Sequence, residues 1–499
     1  MIAPRTSRAA STVPPAGPQR PRAEGDALRT GTAAVVMAFL LAGCAAKVAA
    51  PPQATLAVPA QWRNAVGPGA NGAAADGAQQ VEQQWWLAFN DSALTALVTA
   101  ALEHNGDLRV ARARVADFHA RVAAAHAGQL PSLSVNAAPA RARTLAYNGV
   151  PYITNLFVAE LQASYEVDLW GRLASATEAA AASYRAEQAN ADAAALSIAA
   201  TVANAYLNLR GLDAQLELAI ATLKLREESR RLAKQQFEVG YTSQLEWLQA
   251  QAEYETAAEQ IPQLQRQIFE TENALSFLTG GNPGPIARGT PLAELVPPPV
   301  PAGLPSELLR RRPDIARAEQ SVIAANASLQ ATRDQLLPSF RLTATDGIQS
   351  TDFSNFLHSP INLWRFGAGI TAPLFEGGRV QAQTDSAAAQ RDQAIFAYES
   401  TVRNAFAEAE NGIGAIYRLR EQVVTNDARR ETAAETLRIA RNRYRNGYAS
   451  YLEELDAQRT LYNADVARLQ LRTRLLTASV DLYRALGGGW QQANPSPGR

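Results

Sequence analysis

FEVGYTSQLEWLQAQ occupies residues 237–251, and YRNGYASYLEELDAQ occupies residues 444–458. Laid side by side without a gap, they put Gly240 on Gly447, Ser243 on Ser450, Leu245-Glu246 on Leu452-Glu453, and Ala250-Gln251 on Ala457-Gln458. In each, a glycine closes one helical stretch and a serine opens the next. Glycine just past a helix end suits the left-handed C′ position, and a serine at an N-cap accepts from free backbone N–H groups. Each stretch therefore reads as the tip of a helical hairpin, written twice at an offset of 207.

The offset extends outward. Leu130-Pro131-Ser132-Leu133 parallels Leu337-Pro338-Ser339-Phe340, Gly171-Arg172 parallels Gly378-Arg379, and Gly280-Gly281 parallels Gly487-Gly488. A unit of about 200 residues is far too long for a solenoid repeat, so the chain reads as one unit duplicated. The layout expected is a signal segment over 1–43, an extended segment over 44–90 and a first repeat over 91–282. A Pro-rich linker over 283–304, a second repeat over 305–487 and a flexible tail over 488–499 follow.

Within each copy the periodicity changes. At odd positions 157–169 stand Phe, Ala, Leu, Ala, Tyr, Val and Leu, while Glu160, Gln162, Ser164, Glu166 and Asp168 fill the even ones. Trp364, Phe366, Ala368, Ile370, Ala372 and Leu374 alternate with Arg365, Gly367, Gly369 and Thr371 in the second copy. A period of two with one apolar face is a strand signature. Shorter alternating runs precede both, and Asn148-Gly149 is a hairpin turn signal. Each copy thus carries a β-hairpin, over 131–170 and 338–376, giving four strands per chain.

Helical hairpins follow the strands, over 172–279 and 379–486. From Arg172 to Glu238 there is no proline and a single glycine, Gly211. A helix of that span is ~100 Å long at 1.5 Å per residue. Val202, Tyr206, Leu209, Leu216, Ile220 and Leu223 make one apolar seam, and Leu218, Leu225 and Leu232 another nearly opposite. Two opposed seams describe a stave in a ring of helices, with a neighbour on each side. Pro262, unmatched in the second copy, is expected to bend or break the first return helix.

Lys+Arg and Asp+Glu both total 47, so no basic excess points to nucleic acid. Arginines, then the apolar run Ala33–Leu41, then Ala42-Gly43-Cys44 form a secretory signal ending at the only cysteine. After it no stretch approaches the ~20 apolar residues of a spanning helix, so any crossing must use strands. Four strands with a lipid-facing side leave two open edges, which a bilayer does not tolerate. Protomers must close a shared barrel: two give eight strands and a filled interior, three give twelve and room for a pore. No nucleotide-binding GxxxxGK[ST] loop occurs, and the four histidines share no metal-ligand spacing. A non-enzyme without cofactor or metal is expected.

Six motifs in order complete the reading: Trp85-Trp86…Phe89-Asn90-Asp91, Val167-Asp168-Leu169-Trp170-Gly171-Arg172, Leu309-Arg310-Arg311-Arg312-Pro313-Asp314, Leu374-Phe375-Glu376-Gly377-Gly378-Arg379, Tyr451–Gln458, and Ala485-Leu486-Gly487-Gly488-Gly489-Trp490. In these the chain resembles the TolC-like outer-membrane factor family, specifically its lipoprotein (NodT-type) branch serving tripartite efflux pumps. The LAGC ending resembles a lipobox with Cys44 as the lipidated residue.

The resemblance implies a mixed α/β membrane protein in the outer membrane. Its homotrimer would hold a 12-stranded β-barrel, a periplasmic α-barrel of long helices and an equatorial region. Expected partners are a periplasmic adaptor, an inner-membrane efflux pump and outer-membrane lipid. Leu452 and Asp456 would form the periplasmic gate, and Gly240, Ser243, Gly447 and Ser450 the tips that meet the adaptor. The implied function is passive conduction of drugs, metals or other toxic compounds. A type I protein-secretion duct and a structural periplasmic lipoprotein are the alternatives.

Overall fold

The second half of the structure repeats the first, with both helices of each long hairpin offset by 207 at both ends. The computed structural model describes residues 57–63, 84–299 and 305–490. Its first half runs α1 (Ser92–His104), α2 (Gly106–Ala127), β1 (Ser132–Leu145), β2 (Pro151–Val167), α3 (Arg172–Glu238) and α4 (Gln244–Leu278). The second runs α5 (Leu308–Arg311), α6 (Pro313–Arg333), β3 (Ser339–Ser350), α7 (Phe353–His358), β4 (Ile361–Thr371), α8 (Arg379–Arg445) and α9 (Tyr451–Ala485). Helices α3 and α8 have 67 residues each, and α4 and α9 have 35 each. The signal segment 1–43, Cys44 and residues 491–499 lie outside the described residues.

The four strands form one antiparallel sheet in the order β1-β2-β3-β4. Asn148-Gly149 makes the first turn, with Gly149 at φ 78° and the Gly149 N–H donating to the Ala146 carbonyl at 2.9 Å. Register then sorts the faces. Leu133 pairs with Ala163, Ala163 with Ala344 and Ala344 with Phe366, an apolar row across all four strands. The adjacent row, on the opposite face, carries Ser134, Gln162, Thr345 and Arg365. Directly opposed residues share a face in an antiparallel ladder, so one side of the sheet is mainly apolar, interrupted by Asp346 between Leu161 and Trp364, and the other is mainly polar. The strands stop at Val167 and Thr371, short of the alternating residues Leu169 and Leu374. Gly171 and Gly378 stand at φ 81° and 83° as each chain turns into a long helix, and these turns end the strands.

Each long helix is flanked by two short ones: α2 and α4 lie against α3, α6 and α9 against α8, and α6 also touches α3. Small residues let them approach. Ala219, Arg226 and Ala233 are buried on α3 at heptad spacing, and their counterparts Asn426, Ala433 and Ala440 are buried on α8. Contrary to the expected break, α4 runs through Pro262 as one helix. The ring there removes one backbone donor, but the helix continues through it to Leu278.

The short helices meet end to end at a junction built twice. In the first copy Asn105 Nδ2 donates to the Leu278 carbonyl at 2.8 Å, joining the start of α2 to the end of α4. In the second, Arg312 Nη1 donates to the Ala485 carbonyl at 2.9 Å in the matching place. Gly280 (φ 76°) and Gly487 (φ 90°) end the return helices. A Cβ at Gly280 would sit 2.6 Å from the His104 carbonyl oxygen, and one at Gly487 1.9 Å from that of Arg311. No other residue fits there.

Two of the expected segments change. The stretch 44–90 is not wholly extended: Trp85–Phe89 form a 3-10 turn, and Trp85 stacks on Tyr483 with centroids 5.5 Å apart. Trp85, Trp86 and Phe89 join Leu94, Tyr206 and Leu476 in the main core. The tail is not free from residue 488 either. Gly488 and Gly489 are buried, and Trp490 Nε1 donates to Asp192 Oδ2 at 2.8 Å. Flat aromatic and glycine packing of this kind carries no periodicity, so pattern reading passes over it. No helix among the described residues is long and apolar enough to cross a membrane.

Candidate functional site: the hairpin tips

Both tips are built by the same backbone device. The Gly240 N–H donates to the Phe237 carbonyl at 2.9 Å and the Tyr241 N–H to Gln236 at 2.8 Å. Gly447 and Tyr448 repeat this on Tyr444 and Arg443 at 3.0 and 2.9 Å. With both glycines at φ 75°, this is the paired closure of a Schellman motif. Ser243 then caps α4, its Oγ accepting from the Glu246 N–H at 3.3 Å. Ser450 occupies the N-cap of α9 at φ −74° and ψ 159°, but its side chain makes no cap hydrogen bond. The two tips are alike in backbone and unlike in capping.

Leu452 and Asp456 lie one turn apart on α9 and are both exposed, Leu452 at 57%. The opposite face of the same turns is buried. Tyr451 and Leu455 pack on Ala233 of α3 and Ala250 of α4, with Tyr444 of α8 against the cluster. The tyrosine rings are 5.7 Å apart, and Tyr444 Oη donates to Gln236 Oε1 at 3.0 Å. Burial pushes both phenols up to about 12, and of the two only Tyr444 finds an acceptor. The start of α9 is therefore held against both hairpins, with Leu452 and Asp456 turned outward.

A chain of charges lies just behind. Arg441 Nε meets Glu454 Oε1 at 3.2 Å, and Gln458 Nε2 donates to that same oxygen at 2.8 Å. Gln458 in turn accepts from Arg226, Arg226 pairs with Glu253 at 3.4 Å, and Arg459 Nε reaches Glu253 Oε1 at 3.0 Å. The chain crosses from α8 through α9 to α3 and α4. The side chains of Arg226 and Glu253 are only 6% and 11% exposed. Buried charges of this kind are costly unless every partner is present, so the members of this latch depend on one another.

Sequence reading found the outward pair and the tips but not the latch. Its one visible trace is Arg226 on the heptad row between Ala219 and Ala233, an arginine where the spacing asks for alanine. Among the described residues no group of three or more histidines, cysteines or carboxylates could hold a metal.

The profile of the outer membrane efflux protein family matches residues 97–281 and 304–488, one match per copy. The chain is similar to the probable efflux pump outer membrane protein TtgC of Pseudomonas putida, 35% identical over 463 residues that cover 92% of this chain and 95% of that one. It is also similar to the cation efflux system protein CusC of Escherichia coli, 32% identical over 82% of this chain and 88% of that one. Among solved structures, the open-state MtrE outer membrane channel of Neisseria gonorrhoeae superposes with a TM-score of 0.78 at 32% identity, covering 89% of this chain and 98% of that one.

Proposed function

The chain belongs to the outer membrane efflux protein family, and from that premise we propose that it is the outer-membrane channel of a tripartite efflux system. The observation that carries this is the sheet. It has a mainly apolar and a mainly polar face, and its β1 and β4 edges are open. Such a sheet enters a bilayer only when neighbours close the edges. Three protomers close twelve strands around a water-filled lumen lined by the polar face, and the long helices continue that lumen into the periplasm.

An adaptor and an inner-membrane pump deliver the cargo. The channel conducts it passively, with no catalytic step. In the resting state Leu452 and Asp456 from three protomers converge on the axis as the constriction. The tips at Gly240, Ser243, Gly447 and Ser450 receive the adaptor. Docking there competes for the Arg441–Glu454–Arg226–Glu253 latch and frees α9 to swing outward. Cys44 carries the lipid and starts the mature chain. Mass spectrometry finding an unmodified mature N-terminus would refute that.

The test is complementation. In a strain stripped of its own efflux channels, the gene supplied with its neighbouring adaptor and pump should restore resistance and yield a heat-modifiable trimer. Restored export of a secreted polypeptide with no gain in resistance would favour the protein-secretion duct instead.

A further inference from the structure

The first β-hairpin rises past the second. Phe157 of β2 pairs with Ser350, the last residue of β3, while residues 151–156 pair only with β1. Along β1 the outward row reads Leu133, Val135, Ala137, Pro139 and then Arg141 and Arg143, which face Asn155 and Ile153. The inward neighbours Ala140, Ala142 and Thr144 carry no charge. The two arginines therefore do not serve the lumen. Both are exposed, and no carboxylate among the described residues lies within 4.0 Å of either.

Their height is informative. Arg143 is ten residues beyond Leu133, ~33 Å of strand at about 3.3 Å per residue. A tilt of about 40° leaves ~25 Å along the barrel axis, the height of the apolar band of such barrels. An aromatic patch adjoins them: the Phe157 ring lies 5.4 Å from Phe353 and 6.2 Å from Phe356 of α7. Leu357 beside them is 61% exposed.

We infer that Arg141 and Arg143, with the Phe157–α7 patch below, form a binding site for a phosphate-bearing lipid of the outer leaflet. Guanidinium groups take phosphate oxygens in bidentate pairs, and the rings lie where acyl chains begin. The site holds the exposed hairpin to the membrane surface. It rests on the barrel reading above, since only that reading makes this face lipid-facing.

The test uses the full-length trimer in neutral detergent, titrated with phosphatidylglycerol, phosphatidylcholine or inorganic phosphate. Retained lipid is counted by native mass spectrometry. Phosphatidylglycerol should be retained, phosphatidylcholine much less so, and inorganic phosphate should leave the trimer's dissociation temperature unchanged. Arg141→Gln/Arg143→Gln should weaken phosphatidylglycerol binding roughly 25-fold, about fivefold for each arginine near an anionic lipid surface. Arg141→Lys/Arg143→Lys should keep part of it. Equal retention by wild type and the Gln variant overturns the inference. A response to inorganic phosphate alone assigns a free-anion site and overturns the lipid. Trimer yield and bilayer conductance, measured on the same samples, report the barrel separately: their loss in wild type would defeat the channel reading itself.

Discussion

In the gate proposed above, Asp456 is one carboxylate in the protomer and three at the threefold axis. Opposed charges ~4 Å apart are worth a few kcal/mol at an effective dielectric near 20, and like charges cost the same. A closed ring of Asp456 must then be held by something else. We propose that the exposed Leu452 one turn away and the buried Tyr451–Leu455 face supply it. We predict that Asp456→Ala lowers the cation preference of the resting channel and lets divalent ions pass without block. Leu452→Ala should raise leak conductance. In planar bilayers, wild-type selectivity and leak in both variants would place the constriction elsewhere. The family resemblance of the Tyr451–Gln458 stretch points to this pair, and the structure places both residues on one exposed helix face. Its latch was not legible, because Arg226, Glu253 and Gln458 come from three helices and each alone looks like solvated surface.

At the scale of elements, alternation revealed the strands and missed what carries none. The helix α7 is six residues between β3 and β4, too short for a helical period to register. Gly347 on β3 is equally silent in the pattern, yet a Cβ there would lie 2.4 Å from the Ala159 carbonyl oxygen of β2. The faces themselves are testable. Phe366 and Ile370 share the apolar side with Ala344 and Phe340, while Thr371 pairs with Ser339 on the polar side. Phe366→Arg and Ile370→Arg should each hinder membrane insertion, since arginine on the lipid face costs about 2–4 kcal/mol at mid-membrane. Thr371→Arg should insert normally and alter conductance. Equal loss of folded trimer on gels from both faces would mean the register is shifted by one.

The whole molecule depends on how the copies are joined. Arg312 is buried between Asp314 at 2.7 Å, Glu408 at 2.9 Å and the Ala485 carbonyl, so it ties α6 to α8 and α9. Burial pushes the Asp314 carboxyl up, but its hydrogen bonds to Arg312 and the guanidinium charge prevail and hold it below the ordinary 3.8. A lowered carboxyl stabilises the fold fully above 3.8 and loses that stabilisation as pH falls through the folded value. Asp314→Asn should therefore reduce thermal stability at neutral pH and flatten its decline in acid. A parallel decline in both proteins would exclude this carboxylate as a source. The RRRPD motif marked this junction in the sequence, but its partner, a backbone carbonyl 173 positions away, leaves no mark on any side chain.

The trimer leaves its own signature on a single protomer. Val202, Tyr206 and Leu209 of α3 are buried, whereas farther along the helix Ile220 of the same seam and Leu225 and Leu232 of the second remain 51%, 50% and 41% exposed. On α8, Val424 and Ile439 are 70% and 47% exposed. A helix this long that leaves apolar residues of its seams bare beyond Leu209 is complete only beside another chain. Burying a leucine side chain is worth about 1.5–3 kcal/mol, and a threefold ring repeats each contact at three interfaces. Leu225→Asp/Leu232→Asp withholds two such contacts per interface and adds charges where the neighbour closes. The variant should keep its helical circular dichroism while failing to form heat-modifiable trimers. In planar bilayers it should give no stable channel. Trimers of wild-type stability would mean that the second seam faces water, and that the ring closes along a different face of α3.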